Sequence, residues 1–339
     1  MNLMDLSKYD HKIFTLDNTN FESTAIQVFR FQYHNNSVYH DYTNALGVDP
    51  TLVQSLTQIP FLPIRFFKTH LVVSTVFDPA IIFESSGTTG SVNSRHVVKD
   101  LSLYKKSFTL GFEKFYGPVK DYCVIGLLPS YLERGGSSLV YMVNELINES
   151  GHSQSGFYLN EYDKLSETLT RLEEAKQKTI LVGVTFALLD FAEQKRLELK
   201  HTTIMETGGM KGRREVMVRE EVHKHLRDAF NVPSIHSEYG MTELLSQAYS
   251  KGEGIFQNPA WMKVVIRDDE DPLSVVSRES SVVSRQSVQG AINIIDLANI
   301  YSCSFIATDD VGRLYDDGSF EVSGRMDNSD VRGCSLMLV

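Results

Sequence analysis

The chain has 339 residues, with 33 Lys and Arg against 43 Asp and Glu, and a formal net charge of −10. That balance argues against a dedicated nucleic-acid binder, which needs a basic face to displace phosphate counterions. A content of 42% hydrophobic and 22% charged residues rules out global disorder, and three cysteines without regular spacing argue against a disulfide scaffold, a zinc ribbon or an iron–sulfur site.

Residues 1–80 read as mostly helical. Apolar residues recur at helical spacing over Phe21–Phe31 and Tyr39–Leu46, and Leu52–Ile64 is broken by Pro60 and Pro63. From Ala80 the pattern alternates. Ala80–Phe83 reads as a strand entering a Gly/Ser/Thr loop, Val97–Tyr116 as a helix and Tyr122–Leu128 as a strand stopped by Pro129. Gly136–Asn148 and Tyr162–Lys178 read as helices, Thr179–Thr185 as a strand, Leu188–Leu199 as a helix and Thr202–Glu206 as a strand. Arg213–Phe230 follows as an amphipathic helix with Val218, Val222, Leu226 and Phe230 on one face, then Pro233–His236 as a short strand. The alternation predicts an α/β fold, a parallel sheet flanked by helices.

After about Asn258 the long helices stop. Trp261–Arg267, Gly290–Ile295, Ser302–Ala307, Gly312–Tyr315 and Phe320–Ser323 read as short strands of a small β-rich subdomain, with Asp268–Gln289 as an exposed hairpin or loop. The most apolar run, Ile180–Ala192, contains Asp190 and is too short to span a bilayer. The first residues, Met-Asn-Leu-Met-Asp-Leu-Ser-Lys, lack a basic-then-apolar signal pattern, so a reduced cytoplasmic compartment is the expectation.

Ser85-Ser86-Gly87-Thr88-Thr89-Gly90-Ser91 is the strongest local signal. Its glycines permit tight backbone, and its N–H groups and hydroxyls can hydrogen-bond phosphate oxygens, as strand-to-helix loops do. It is no Walker A loop, because no Gly-Lys-Ser/Thr follows at the required spacing, and an ordinary Ser/Gly turn is the bland alternative. Three further segments follow in order. Ser237-Glu238-Tyr239-Gly240-Met241-Thr242-Glu243 is read as following a strand and opening a helix. Thr308-Asp309-Asp310-Val311-Gly312-Arg313 follows a β run, and Gly324-Arg325 to Arg332-Gly333 lies near the end.

The ordered set of four resembles the core motifs of the adenylate-forming superfamily of acyl-CoA synthetases, adenylation domains and luciferases, over roughly Ile81 to Gly333. The resemblance implies that Ser85–Ser91 hold the β- and γ-phosphates of ATP, and that Gly208-Gly209 and Tyr239-Gly240 flank the adenine. It implies that Thr242 contacts the α-phosphate, that Glu243 ligates Mg²⁺, that Asp310 takes the ribose hydroxyls, and that Arg325 lies near ribose and phosphate. The division it implies is a mostly helical part over 1–80, an α/β nucleotide-binding part over 81–258, the β-rich subdomain over 259–324 and a hinge with a tail over 325–339. Two departures stand out. The usual Pro-Lys after the Gly-rich loop is replaced by Ser91-Val-Asn-Ser-Arg95-His96, which leaves Arg95 as the nearest cation. The expectation is also that the usual C-terminal domain, with its lysine, is lacking, because six residues follow Gly333.

The Arg332-Gly-Cys334-Ser-Leu336 tail, Leu128–Leu139 and Thr207–Arg213 resemble a narrower family, the acyl-protein synthetases of the bacterial bioluminescence fatty-acid reductase system. In that family a fatty acid is adenylated and then passed to a cysteine near the C-terminus as a thioester, which implies Cys334 as nucleophile with Arg332 favouring its thiolate. A reductase subunit or carrier protein is the implied acceptor. Coenzyme A as acceptor, and a non-catalytic nucleotide-binding partner protein, are alternatives. A serine hydrolase or acyltransferase built on Gly151-His-Ser153-Gln-Ser155 is weaker, because Ser155 stands where the elbow needs glycine. Cys123 and Cys303 read as buried core thiols. Phe108, Phe112, Leu139, Met142 and Phe186 read equally as core or as tunnel lining.

Overall fold

A computed structural model describes residues 9–10, 12–85, 92–129, 136–208, 217–268, 275 and 287–326. The chain divides into two compact units that interleave along the sequence. The first comprises residues up to Leu110 with Gly240–Gln247 and Gln257–Met326, and the second Gly111–Tyr239 with Ala248–Phe256.

In the first unit, Phe21–Asn35 and Ser37–Ala45 are helices that meet at Asn36. Asn36 ends one helix and caps the next, its Oδ1 accepting the Tyr39 N–H at 3.0 Å, the role for which a short polar side chain is suited. Phe29, Tyr39 and Phe61 bury their rings around Phe305, with centroids 6.0–6.3 Å apart. Met262–Arg267, Ser287–Asp296, Phe305–Tyr315 and Phe320–Arg325 form an antiparallel sheet in that order, and Leu62–Pro63 adds a short parallel pairing to Phe305–Tyr315.

Three expectations are corrected in this unit. Val97 and Val98, expected to open a helix, belong instead to the strand Arg95–Val98, which pairs antiparallel with Ile81–Glu84. The Gly-rich segment therefore joins two strands, not a strand and a helix. The helix after it runs over Leu101–Tyr116 and starts where the Asp100 carboxylate accepts the Ser102 N–H at 2.8 Å. The two strands expected over Ser302–Ala307 and Gly312–Tyr315 are one strand, Phe305–Tyr315. The polar run Thr308-Asp309-Asp310 hides its continuity, and a register shift between Val311 and Gly312 kinks it.

The second unit is the expected parallel sheet. Gly156–Phe157, Cys123–Leu127, Thr179–Val184, Thr202–Thr207 and His236–Tyr239 lie side by side and parallel, and Ala248–Ser250 joins antiparallel to the last. Helices Ser138–Ser150, Tyr162–Glu174, Thr185–Gln194 and Arg219–Phe230 connect them. Val222, Leu226 and Phe230 are buried as the periodicity predicts, whereas Val218 is the extended N-cap residue. The helix expected from Leu188 starts earlier, at Thr185, directly out of its strand. The strand expected over Pro233–His236 is His236–Tyr239. Among the described residues no helix is long and apolar enough to cross a membrane.

Candidate functional site

Asp310 and Arg325 face each other on neighbouring antiparallel strands, and Arg325 Nε donates to Asp310 Oδ1 at 2.9 Å. The Asp310 side chain is 8% exposed and that of Arg325 26%, so the carboxylate is mostly shielded while its guanidinium partner reaches solvent. A charge-assisted bond of this kind fixes the carboxylate in place, and its oxygens can accept from hydroxyls. Gly312, two residues on, is dictated by backbone approach. A Cβ there would lie 1.9 Å from the Glu321 carbonyl oxygen.

The strand is braced by Arg267, which sequence reasoning missed. Its guanidinium donates to Thr308 O at 2.6 Å, Ile292 O at 2.9 Å and Asn293 Oδ1 at 2.7 Å, and burial pulls its pKa down. The available signal was a cation closing an apolar strand.

Thr242 and Glu243 do not open a helix. They sit in a turn because distant side chains take their backbone groups. His96 Nδ1 meets Thr242 O at 2.8 Å and Asn299 Nδ2 donates to Glu243 O at 2.8 Å. The Asp296 carboxylate accepts from Leu245 N at 2.8 Å, Ser246 N at 3.0 Å and Ser246 Oγ at 2.6 Å. Burial pushes the Asp296 carboxyl up and these donors pull it back. Each bond competes with the helical pattern that the local sequence would otherwise offer. Glu243 is only 5% exposed. Among the described residues no group of three or more His, Cys, Asp or Glu is placed to hold a metal ion, and Glu243 is a single carboxylate of the donor type that hard cations take.

Of the Gly-rich loop, Ser85 is described and buried. Its Oγ accepts the Ser94 N–H at 2.9 Å, closing the strand pair below the loop. Ser86, Gly87, Thr88, Thr89, Gly90 and Ser91 lie outside the described residues, as do Gly209 and Cys334. Arg95 is exposed, 3.8 Å from Glu84 across the strand pair.

In the second unit, Gly208 follows the strand Thr202–Thr207 with φ +77°, and Tyr239 ends the neighbouring parallel strand. Both stand at carboxyl ends of parallel strands, where open α/β sheets bind their ligands. The Tyr239 ring lies 5.8 Å from that of Phe256. Behind them Thr207 Oγ1 donates to Glu238 Oε2, and burial pushes the Glu238 carboxyl up to about 7. Gly240, directly after Tyr239, is exposed.

The competing readings fare differently. Ser153 follows the helix Ser138–Ser150, not a strand, so it is no nucleophile elbow, and Ser155 Oγ donates to Cys123 and contacts Ser150. His236 Nδ1 is 3.1 Å from the Tyr116 hydroxyl. Cys123 and Cys303 are fully buried, with Cys303 pushed up to about 12, as core thiols should be. Phe108, Phe112, Met142 and Phe186 are buried, each at most 3% exposed, and Leu139 is half-buried.

The fold matches solved structures at low identity. An ATP-bound MatB from Rhodopseudomonas palustris matches with a TM-score of 0.54 and 17% identity, over 74% of this chain and 50% of that one. An ATP-bound RpMatB–BxBclM chimera matches with a TM-score of 0.55, 17% identity and the same shares. A double mutant of o-succinylbenzoate CoA synthetase (MenE) from Bacillus subtilis, bound with its product analogue OSB-NCoA, matches with a TM-score of 0.50 and 17% identity, over 74% and 49%. The chain spans about half the length of these structures. No curated protein matches it by sequence.

The fold is that of the adenylate-forming ligases, as the four ordered motifs imply. Residues 14–339 match the family described as "Acyl-protein synthetase, LuxE", and the chain belongs to that family.

Proposed function

We propose that the chain activates a carboxylic acid, a fatty acid in this reading, as an acyl-adenylate using ATP and Mg²⁺, and then takes the acyl group onto Cys334 as a thioester. The observation that carries the reading is the family match over residues 14–339, which spans all four motifs and the cysteine-bearing end. The Asp310–Arg325 pair supports it.

In this reading Asp310 accepts the ribose hydroxyls, Arg325 neutralises charge beside ribose and phosphate, and Thr242 donates to the α-phosphate. Glu243 holds Mg²⁺, which neutralises phosphate charge when bound. Ser85–Ser91 hold the β- and γ-phosphates, and Gly208, Gly209, Tyr239 and Gly240 receive the adenine. A carboxylate oxygen of the acid attacks the α-phosphorus, and the bond to the bridging oxygen breaks as pyrophosphate leaves. The Cys334 thiolate then attacks the acyl carbonyl. A C–S bond forms, the C–O bond to phosphate breaks and AMP leaves. Positioning and charge stabilisation supply most of the rate, since no protein group need bond covalently to phosphorus.

Incubation of the chain with ATP, Mg²⁺ and a radiolabelled fatty acid is expected to leave a hydroxylamine-labile label on the protein, absent from Cys334→Ala. Label that persists in that variant contradicts the acyl-cysteine step. Label that appears only on added coenzyme A assigns a different acceptor.

A further inference from the structure

His96 is 1% exposed and stands on the strand Arg95–Val98, immediately after the Gly-rich segment and in register with Phe83. Its ring lies between two oxygen acceptors within the first unit. Nδ1 lies 2.8 Å from Thr242 O, and Nε2 lies 3.0 Å from Asn299 Oδ1. Asn299 spends its two amide protons on Glu243 O, at 2.8 Å, and Cys303 O, at 3.0 Å. That use fixes which way the amide faces and turns its oxygen to His96. The carbonyls of Thr242 and Glu243 are thus both held by the His96–Asn299 pair.

Asn299 is itself seated from below. Gln32, wholly buried on the helix Phe21–Asn35, donates to Asn299 O and Ile300 O at 3.0 Å, and Asn36 Nδ2 donates to Ser302 O at 3.0 Å. The loop carrying Asn299 is thus held by the side chains of Gln32 and Asn36, and His96 links it to the strand pair that bears the Gly-rich segment. Burial pushes the imidazole down to about 4, so near neutral pH it is uncharged and holds one proton. Thr242 O and Asn299 Oδ1 both only accept, so a ring with one proton donates to one of them, and the shorter contact, 2.8 Å against 3.0 Å, assigns the donation to Thr242 O and the proton to Nδ1.

We infer that His96 is a positioning residue that sets the Thr242–Glu243 turn relative to the strand pair of the Gly-rich segment, through its Nδ1–H bond to Thr242 O. The inference rests on the adenylating reading above and deepens it. The residues proposed to grip the α-phosphate and Mg²⁺ are placed by a side chain that touches neither.

Two variants of the full chain separate this role from a merely structural one. The Nδ2 of Asn overlays the Nδ1 of histidine, so His96→Asn keeps the donor to Thr242 O. His96→Gln places its amide nitrogen instead at the position of Nε2, toward Asn299 Oδ1, and lacks the donor to Thr242 O. Acid-dependent exchange of labelled pyrophosphate into ATP is measured for both, with kcat, KM for the acid and the Mg²⁺ concentration for half-maximal rate. For His96→Asn, kcat is expected to stay within about threefold of the parent chain. For His96→Gln it is expected to fall about tenfold or more, with a raised Mg²⁺ requirement and an unchanged KM for the acid. Equal kcat values for the two variants, or a change confined to the acid KM, overturn the inference. Absence of exchange in the parent chain with every acid overturns the adenylating reading, and this inference with it.

Discussion

Glu238 is a carboxyl side chain in a place where water hardly reaches, 8% exposed, with the Thr207 hydroxyl as donor. Its pKa is raised to about 7 by burial. An unfolded Glu titrates near about 4.3, so between those values the folded chain keeps a proton that the unfolded chain has released. The stabilisation from this group is complete below about pH 4.3 and is lost as pH rises through about 7, an effect of roughly 4 kcal/mol. Glu238→Gln keeps an acceptor for Thr207 and removes the titration. In urea unfolding, the variant is therefore expected to gain stability over the parent chain as pH goes from 5 to 8, and parallel stability profiles would contradict the assignment. His96 has the opposite sign. Its pKa is lowered to about 4 by burial, so its contribution is complete above about 6.5 and is lost as pH falls through about 4. The chain is expected to be acid-sensitive over that lower window, and His96→Asn to be less so, measured as the change in unfolding free energy between pH 7 and pH 5.

The strands Phe305–Tyr315 and Phe320–Arg325 hold the Asp310–Arg325 pair, and Gly312 is what lets them approach. Gly312→Ala is expected to cost about 1–3 kcal/mol through overpacking against the Glu321 backbone. The same shift moves the carboxylate off its partner, so the KM for ATP is expected to rise with the fall in melting temperature. A fall in melting temperature with an unchanged KM would detach the bulge from the site. Elements whose signals are local were readable from sequence: Tyr162–Glu174 from its helical period, Thr179–Val184 from its β-branched run, and Arg219–Phe230 from its apolar face. Elements set by distant partners were not. Arg95–Val98 is a strand because Ile81–Glu84 pairs with it, and Thr242–Ser246 stays out of a helix because His96, Asp296 and Asn299 occupy its backbone. The motif letters of the site were legible, while the side chains that aim them were not. Those are single polar residues scattered through apolar segments, and nothing in their spacing links them.

At the scale of the whole chain, 339 residues cover about half the length of the ATP-bound structures that share the fold, so the fold is common property and the chemistry is this family's own claim. Each unit contributes motif residues. Ser85, Thr242, Glu243, Asp310 and Arg325 belong to the first, and Gly208 and Tyr239 to the second. A net charge of −10 is a sum over the whole chain and does not set the field at any one site, which local donors and charges decide. The central claim is acyl-adenylate formation, and exchange of radiolabelled pyrophosphate into ATP reads that step without reference to any acceptor. With Mg²⁺ and a series of fatty acids, exchange is expected that depends on the acid, falls sharply in Asp310→Ala and Glu243→Ala, and persists in Cys334→Ala. Exchange that no carboxylic acid supports, or that is indifferent to the loss of Asp310 and Glu243, would contradict the account.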